Sequence, residues 1–302
     1  MSDPAQHLPT DSRLGSVRLL VTDVDLSTRF WTEYVGLSQL TSDGDEVSLG
    51  SQGEELIRLV PGATGPVVQR RTGLYHVAIH VPTQRELARI GARLNALRFG
   101  HAPTDHTSTM ATYFSDPDGN GIEITFETPE RGEMLILPDG RPVARLAATG
   151  EYRGVTEALD QQELYGALEQ GDDLALPIQG QARIGHVHLH VRDLEENRLF
   201  YDNVIGFRTL LNMSAMGMAD FALDDHTAPH SLAINSWAGS GAQPRPEGTA
   251  GLLNYTLLLP HEDAFDALKQ RLEDANVSFE ETDDGLDVQD PSGNELRVIV
   301  EA

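Results

Sequence analysis

The sequence predicts an α+β fold assembled from four copies of one strand–helix–strands module. Two internal repeats and one recurring turn carry that prediction. Residues 15–37, GSVRLLVTDVDLSTRFWTEYVGL, align without a gap on residues 185–207, GHVHLHVRDLEENRLFYDNVIGF, at a constant offset of 170. A second pair, GLYHVAIHVP at 73–82 and GLLNYTLLLP at 251–260, is offset by 178. The segments opened by that second pair both close on Asp-Pro-x-Gly-Asn followed by a last strand, at 116–124 and 290–298. Self-similarity of this length marks repeated structural units and has to be read before any single element.

Each copy of the first repeat begins with alternating apolar residues, the period of a strand. An aspartate, Asp23 or Asp193, follows in N-cap position. A helix comes next, with its apolar face at Phe30, Trp31 and Tyr34 or at Leu199 and Phe200, and Gly36 or Gly206 ends it. In the second repeat the opening strand leads into helical stretches at Gln84–Leu97 and Glu262–Ala275. Four modules result, at 15–61, 72–128, 183–238 and 250–301, grouped by sequence order into an N-terminal domain (15–128) and a C-terminal domain (183–301). Pro61–Pro66 and the Gly/Pro-rich Gly239–Gly248 separate modules within each half. Residues 129–180 read as an acidic linker without catalytic chemistry, with a helix expected near Thr156–Gln170.

Composition narrows the function classes. A net charge of −25, from 47 acidic and 22 basic residues, argues against nucleic acid, whose binding rests on Lys and Arg contacts to phosphate. The acidity fits either a solubilising surface or adaptation to high salt. No apolar run approaches the roughly 20 residues that cross a bilayer, and no signal peptide is visible at Met-Ser-Asp-Pro-Ala-Gln-His. A cytoplasmic protein without membrane or nucleic-acid partners is expected. With no cysteine, any metal must be held by nitrogen and oxygen donors.

Paired βαβββ modules, with a histidine on an opening strand and Asp-Pro-x-Gly-Asn-x-x-Glu at the close, resemble the vicinal oxygen chelate superfamily. That group contains glyoxalase I, the bleomycin- and fosfomycin-resistance proteins and the type I extradiol dioxygenases. The resemblance spans nearly all of residues 15–301. It implies two cup-shaped incomplete barrels, each built by two modules around one metal site, with ligands from opening and closing strands. The corresponding positions here are Ser16, His76, His186 and Asn254 on opening strands, and Glu123 and Arg297 on closing strands.

Pairing within each half gives Ser16, His76 and Glu123 in one cup and His186, Asn254 and Arg297 in the other. The first set is incomplete, and the second puts a permanent cation against a divalent ion. Pairing the second module with the third and the first with the fourth collects His76, Glu123 and His186 in one cup. That arrangement is expected, because two histidines and a carboxylate form the facial triad of non-haem Fe(II) oxygenases. His188 and His190 share the strand face of His186, as His80 shares that of His76, and read as pocket lining or plain structure. His7, His101 and His261 read as structural.

Two further stretches resemble extradiol dioxygenases, and the four-module layout is similar to that of CatE-like catechol-2,3-dioxygenases. Ala228–Ile234 resembles the segment with the acid/base histidine, here His230. Tyr113, ten residues before Glu123, resembles the active-site tyrosine, and His106 is a weaker candidate beside the metal site. The resemblance implies Fe(II), or Mn(II) on the same ligands, and cleavage of a small aromatic diol by O2 to a muconic semialdehyde-type product. His230 would take and return the catechol proton, and Tyr113 would hydrogen-bond the bound oxygen or the ring-expanded intermediate. Modules of this kind can also pair between chains, which leaves a homo-oligomer open. A glyoxalase-like isomerase or lyase is the rival, but it uses a carboxylate from the strand at Ser231–Trp237, which has none. A metal-free small-molecule-binding protein is the other alternative.

Overall fold

Neither large sheet is built from one half of the chain. The computed structural model describes residues 7–223 and 230–301. A nine-stranded sheet takes the second and third modules, and an eight-stranded sheet takes the first and fourth. In the nine-stranded sheet the opening strands Gly73–His80 and Arg183–His190 pair antiparallel at the centre. Outward from Gly73–His80 lie Gly121–Glu127, Thr109–Ser115, Ala102–Asp105 and the short Glu157–Ala158. Outward from Arg183–His190 lie Leu232–Asn235, Met218–Ala222 and Arg208–Met213. The eight-stranded sheet repeats the plan, with Arg13–Val21 against Gly251–Leu259 at its centre. Both sheets are open rather than closed barrels.

The helices follow the sequence signals. Asp23 and Asp193 cap Val24–Phe30 and Leu194–Leu199 by accepting from the backbone N–H three residues on, at 2.9 Å in both copies. Each helix then widens into a π-turn segment, Trp31–Val35 or Phe200–Ile205, that stops at a left-handed glycine, Gly36 at φ 94° or Gly206 at φ 99°. Gln84–Ala96 and Glu262–Asp274 are the longer helices, burying Leu87, Ile90 and Leu94 or Leu268 and Leu272. The recurring turn is an aspartate nest. Asp116 accepts from the backbone N–H of Asp118 and Asn120 at 3.0 and 2.8 Å, and from the Asn120 side chain at 2.8 Å. Asp290 does the same with Ser292 and Asn294. Among the described residues no helix is long and apolar enough to cross a membrane.

Residues 129–180 differ from the expectation of a helix over Thr156–Gln170. The helix there is Gln161–Tyr165 only, because Asp160 caps it by accepting from Gln162 and Glu163 and Gly166 follows directly. A three-stranded sheet, Gly132–Ile136, Pro142–Leu146 and Tyr152–Arg153, precedes it. Further on, this stretch is fastened to the Gln84–Ala96 helix by two buried arginines. Arg89 donates to the carbonyls of Asp173 and Leu176 at 2.9 Å each, and Arg93 to those of Leu174 and Leu176.

Candidate functional site

The centre of the nine-stranded sheet places three donor residues side by side. Ala78 is the common neighbour: it pairs with His186 across the antiparallel strand and with Glu123 across the parallel one. His76 stands two residues before Ala78, on the same face. The three functional atoms meet. His76 Nε2 lies 3.0 Å from His186 Nε2 and 3.1 Å from Glu123 Oε2, and His186 Nε2 lies 3.0 Å from the same oxygen. All three residues are buried. The other carboxylate oxygen of Glu123 accepts from Thr125 Oγ1 at 2.8 Å, which fixes the plane of the group.

Those three contacts cannot all be hydrogen bonds. Two ring N–H protons aimed at Glu123 leave the two nitrogens facing each other without a proton between them. A cation inside the triangle satisfies every lone pair at once. Donors bound to one ion at about 2.1 Å and at right angles to one another stand about 3.0 Å apart, as these do. Burial drives His186 down to about 4, so its imidazole is neutral at pH 7 and offers a lone pair. Burial would raise Glu123, but the attraction and hydrogen bonds of His186 and His76 outweigh it and hold the carboxylate well below its ordinary value. The donor set fits a first-row divalent metal.

Around the triad lies a cavity of ≈ 410 Å³. Its lining runs from Thr104 on one flank of the sheet to Leu210 and Leu211 on the other, so the sheet curves around it as a cup. His230 packs its ring 4.3 Å from that of His186, with Nδ1 3.6 Å from Asp220 Oδ2. Burial, then the neighbouring His186, pushes His230 well below the usual histidine range. Ala228 and Pro229, at the start of its expected segment, lie outside the described residues. Tyr113 faces Glu123 across the antiparallel pair, with its ring 5.4 Å from that of His76. Its hydroxyl meets His106 Nε2 at 2.9 Å, and His106 Nδ1 meets the Val155 carbonyl at 2.8 Å. A carbonyl only accepts, so His106 Nδ1 carries a proton, and the Tyr113 hydroxyl lies between His106 Nε2 and the Glu123 carboxylate. Burial, then Glu123, raises the Tyr113 phenol well above its ordinary value and keeps it neutral.

The other expected positions separate cleanly. His80 and His188 line the cavity. His80 Nδ1 is held by Glu127 at 2.6 Å, and His188 Nε2 takes a hydrogen bond from Asn235 at 2.8 Å. His190 bonds the opposite end of that amide at 2.7 Å. His101 bonds Thr112 and Asn95, and His261 caps its helix through Ala264 N, both structural roles. In the eight-stranded sheet Arg297 is paired with Asp287 at 2.6 Å and Asn254 donates to Glu295 at 3.3 Å. Ser16 lies near Glu55, whose carboxylate it helps Arg58 and Ser48 hold below its ordinary value. Among the described residues His76, Glu123 and His186 are the one cluster with metal-ligand spacing.

Comparison with known proteins agrees with this architecture. The family model for the glyoxalase/bleomycin resistance protein/dioxygenase superfamily matches residues 13–124 and 183–298. A curated relative, catechol-2,3-dioxygenase of Bacillus subtilis (strain 168), is 33% identical over 297 residues, spanning 96% of this chain and 98% of that one. The chain belongs to the glyoxalase/bleomycin resistance protein/dioxygenase superfamily. Among solved structures, a candidate dioxygenase of Bacillus subtilis subsp. subtilis str. 168 superposes with a TM-score of 0.65 at 12% identity, covering 97% of this chain and 86% of that one. Glyoxalase I from Zea mays superposes at 0.58 with 15% identity, covering 96% and 92%. At such identities both likenesses concern the fold alone.

Within this superfamily cup, several residues escape a reading by alternation. Tyr75, Gly185 and Leu210 are each the extra residue of a β-bulge, where the pairing register steps by one. A bulge re-aims side chains. Tyr75, formally on the face opposite His76, therefore reaches the cavity beside Trp237, and Leu210 joins Leu211 there. Asp220 belongs to no motif or repeat position that singles it out in the sequence. Residues 129–180 also contribute, through Met134, Val155 and Thr156, so the linker does more than join the halves.

Proposed function

We propose that the protein is an extradiol ring-cleaving dioxygenase that uses a divalent metal, iron(II) or manganese(II), held by His76, Glu123 and His186. The carrying observation is the pairing of that triad with His230 on one side and Tyr113 on the other, in one cavity. The near-full-length similarity to a catechol-2,3-dioxygenase supports the same reading. When bound, the metal supplies positive charge and the capacity to bring dioxygen together with an ionised aromatic diol.

The chain's own residues then have separate tasks. His230 is neutral and lines the cavity beside His186, so it can accept a hydroxyl proton from the diol and return it to the product. Tyr113 is held between His106 and Glu123 and lines the cavity, where its hydroxyl orients a substrate oxygen. Thr125 and the backbone of the sheet keep Glu123 from turning away. The depth of the triad excludes bulk water, which strengthens each of these interactions. The strand Leu232–Asn235 brings no carboxylate to the triad, as an isomerase of this fold would need, and Asn235 is occupied by His188 and His190.

The test is anaerobic loading with Fe(II), then catechol and oxygen, following oxygen uptake and a yellow ring-fission product. Uptake is expected with the unaltered protein, and a fall of about 10²-fold or more with His230→Ala at unchanged metal content. Absence of uptake across several catechols, together with isomerisation of a glutathione or bacillithiol hemithioacetal, would overturn the proposal.

A further inference from the structure

The cavity has two chemically distinct ends, and the outer one has no task in cleaving an unsubstituted ring. Its inner end carries the triad, His230 and Tyr113. Its outer wall carries Met134, Met213, Met216 and Met218 with Leu210 and Leu211. Four of the six methionines in the chain therefore line one cavity. Methionine is unbranched and polarizable, and suits surfaces that accept apolar groups of varied shape.

The mouth adds aromatic faces held in place. Trp237 is 47% exposed, yet its indole N–H is tied to the Met216 carbonyl at 2.7 Å and its backbone N–H to Asn235 at 3.0 Å. Tyr75, 39% exposed at its bulge, stands edge-on to Trp237 with ring centroids 5.3 Å apart. Met216 itself is 44% exposed. Its turn is fixed by Gly217 at φ 69°, which accepts from Ser236 N at 2.9 Å and has no room for a Cβ against Ser236 Oγ. Three large apolar side chains exposed together at a cavity mouth mark a binding surface.

Charge narrows the ligand further. Among the described residues no lysine or arginine lines the cavity, and the acidic ones that do are Glu123 and Asp220. With the diol on the metal, a carboxylate on the ring would meet no side-chain cation to pair with, within a protein of net charge −25.

We infer that the methionine wall and the Tyr75–Trp237 mouth form a substituent site, and that the substrate is an uncharged dihydroxybenzene bearing an alkyl or aryl group. This rests on the dioxygenase reading, because the diol must sit at the inner end for the substituent to reach the outer one. The site selects by burying apolar area, so affinity rises with the size of the substituent and falls with any charge on it.

Calorimetric titration of the Fe(II)-loaded protein under argon separates the cases without turnover. The probes are catechol, 4-tert-butylcatechol, 2,3-dihydroxybiphenyl and 3,4-dihydroxybenzoate. The better of the two apolar catechols is expected to bind about tenfold more tightly than catechol, and 3,4-dihydroxybenzoate no more tightly than catechol. Met216→Ser and Trp237→Ala, both at exposed positions, are expected to shrink the preference for the apolar ligand severalfold. Equal binding of apolar and bare catechol, tighter binding of the carboxylate, or a preference untouched by both substitutions would overturn the substituent site and leave the dioxygenase reading standing. Failure of every diol to bind would overturn both.

Discussion

At the scale of single residues, the cavity is a place where burial decides protonation. His186 and His230 are held neutral, and Tyr113 is kept from ionising. Asp220 is the acid counterpart. Its side chain is buried, Oδ1 accepts from Leu211 N at 2.9 Å, and burial pushes its carboxyl up to about 7. The neighbouring His230 is itself kept uncharged, so no cation compensates. The sign follows from linkage: a carboxyl whose folded value is raised contributes stability that is fully present below its unfolded value of about 3.9 and is lost as pH rises through 7. Asp220→Asn keeps the shape and the acceptor for Leu211 but cannot ionise. Between pH 4 and 8 the parent should therefore lose stability relative to Asp220→Asn by on the order of a few kcal/mol. Denaturant midpoints of both proteins at four pH values measure this, and parallel profiles would show that Asp220 does not titrate in that window.

At the scale of elements, the bulges decide what the central strands present. Gly185 is the extra residue just before His186, and a Cβ there would come within 1.9 Å of the His80 ring. His80 cannot easily withdraw, because Glu127 holds its Nδ1. Gly185→Ala is expected to destabilise the protein by about 2 kcal/mol or more through overpacking. Adding His80→Ala in the same chain should recover most of that loss, although His80→Ala alone is destabilising. Strict additivity of the two changes would refute the steric argument. The same bulges explain how far the site was legible in the sequence. The repeat and the family resemblance located His76, His186 and Glu123, and the three stay together because the pairing from His76 to Ala78, between the two bulges, is unbroken. Alternation assumes an unbroken register, so it hid Tyr75 and Leu210, which depend on steps in pairing. The linker helix was overextended for a related reason: helical periodicity continues through Leu164 and Leu168, but the Asp160 cap and Gly166 bound the element locally.

At the scale of the whole molecule, duplication has produced two sheets of one plan and, among the described residues, a single donor triad. The triad needs both halves of the chain, since His76 and Glu123 come from the second module and His186 from the third. Two of the equivalent positions in the other sheet have acquired partners of their own, Arg297 with Asp287 and Asn254 with Glu295, and the third is Ser16. The guanidinium repels a cation, and the neutral amide of Asn254 and hydroxyl of Ser16 bring no charge of their own to offset it. One metal ion per chain is therefore expected by elemental analysis after gel filtration, not two. Glu123→Ala should reduce that figure to near zero, because it removes the anionic donor and leaves two neutral imidazoles. Arg297→Ala should leave it at one, because deleting a repulsive charge does not create the missing donors. Circular dichroism of both variants separates loss of metal from loss of fold. A stoichiometry of two, or loss of metal from Arg297→Ala with retention by Glu123→Ala, would place the ion in the other sheet and undo the assignment of the site.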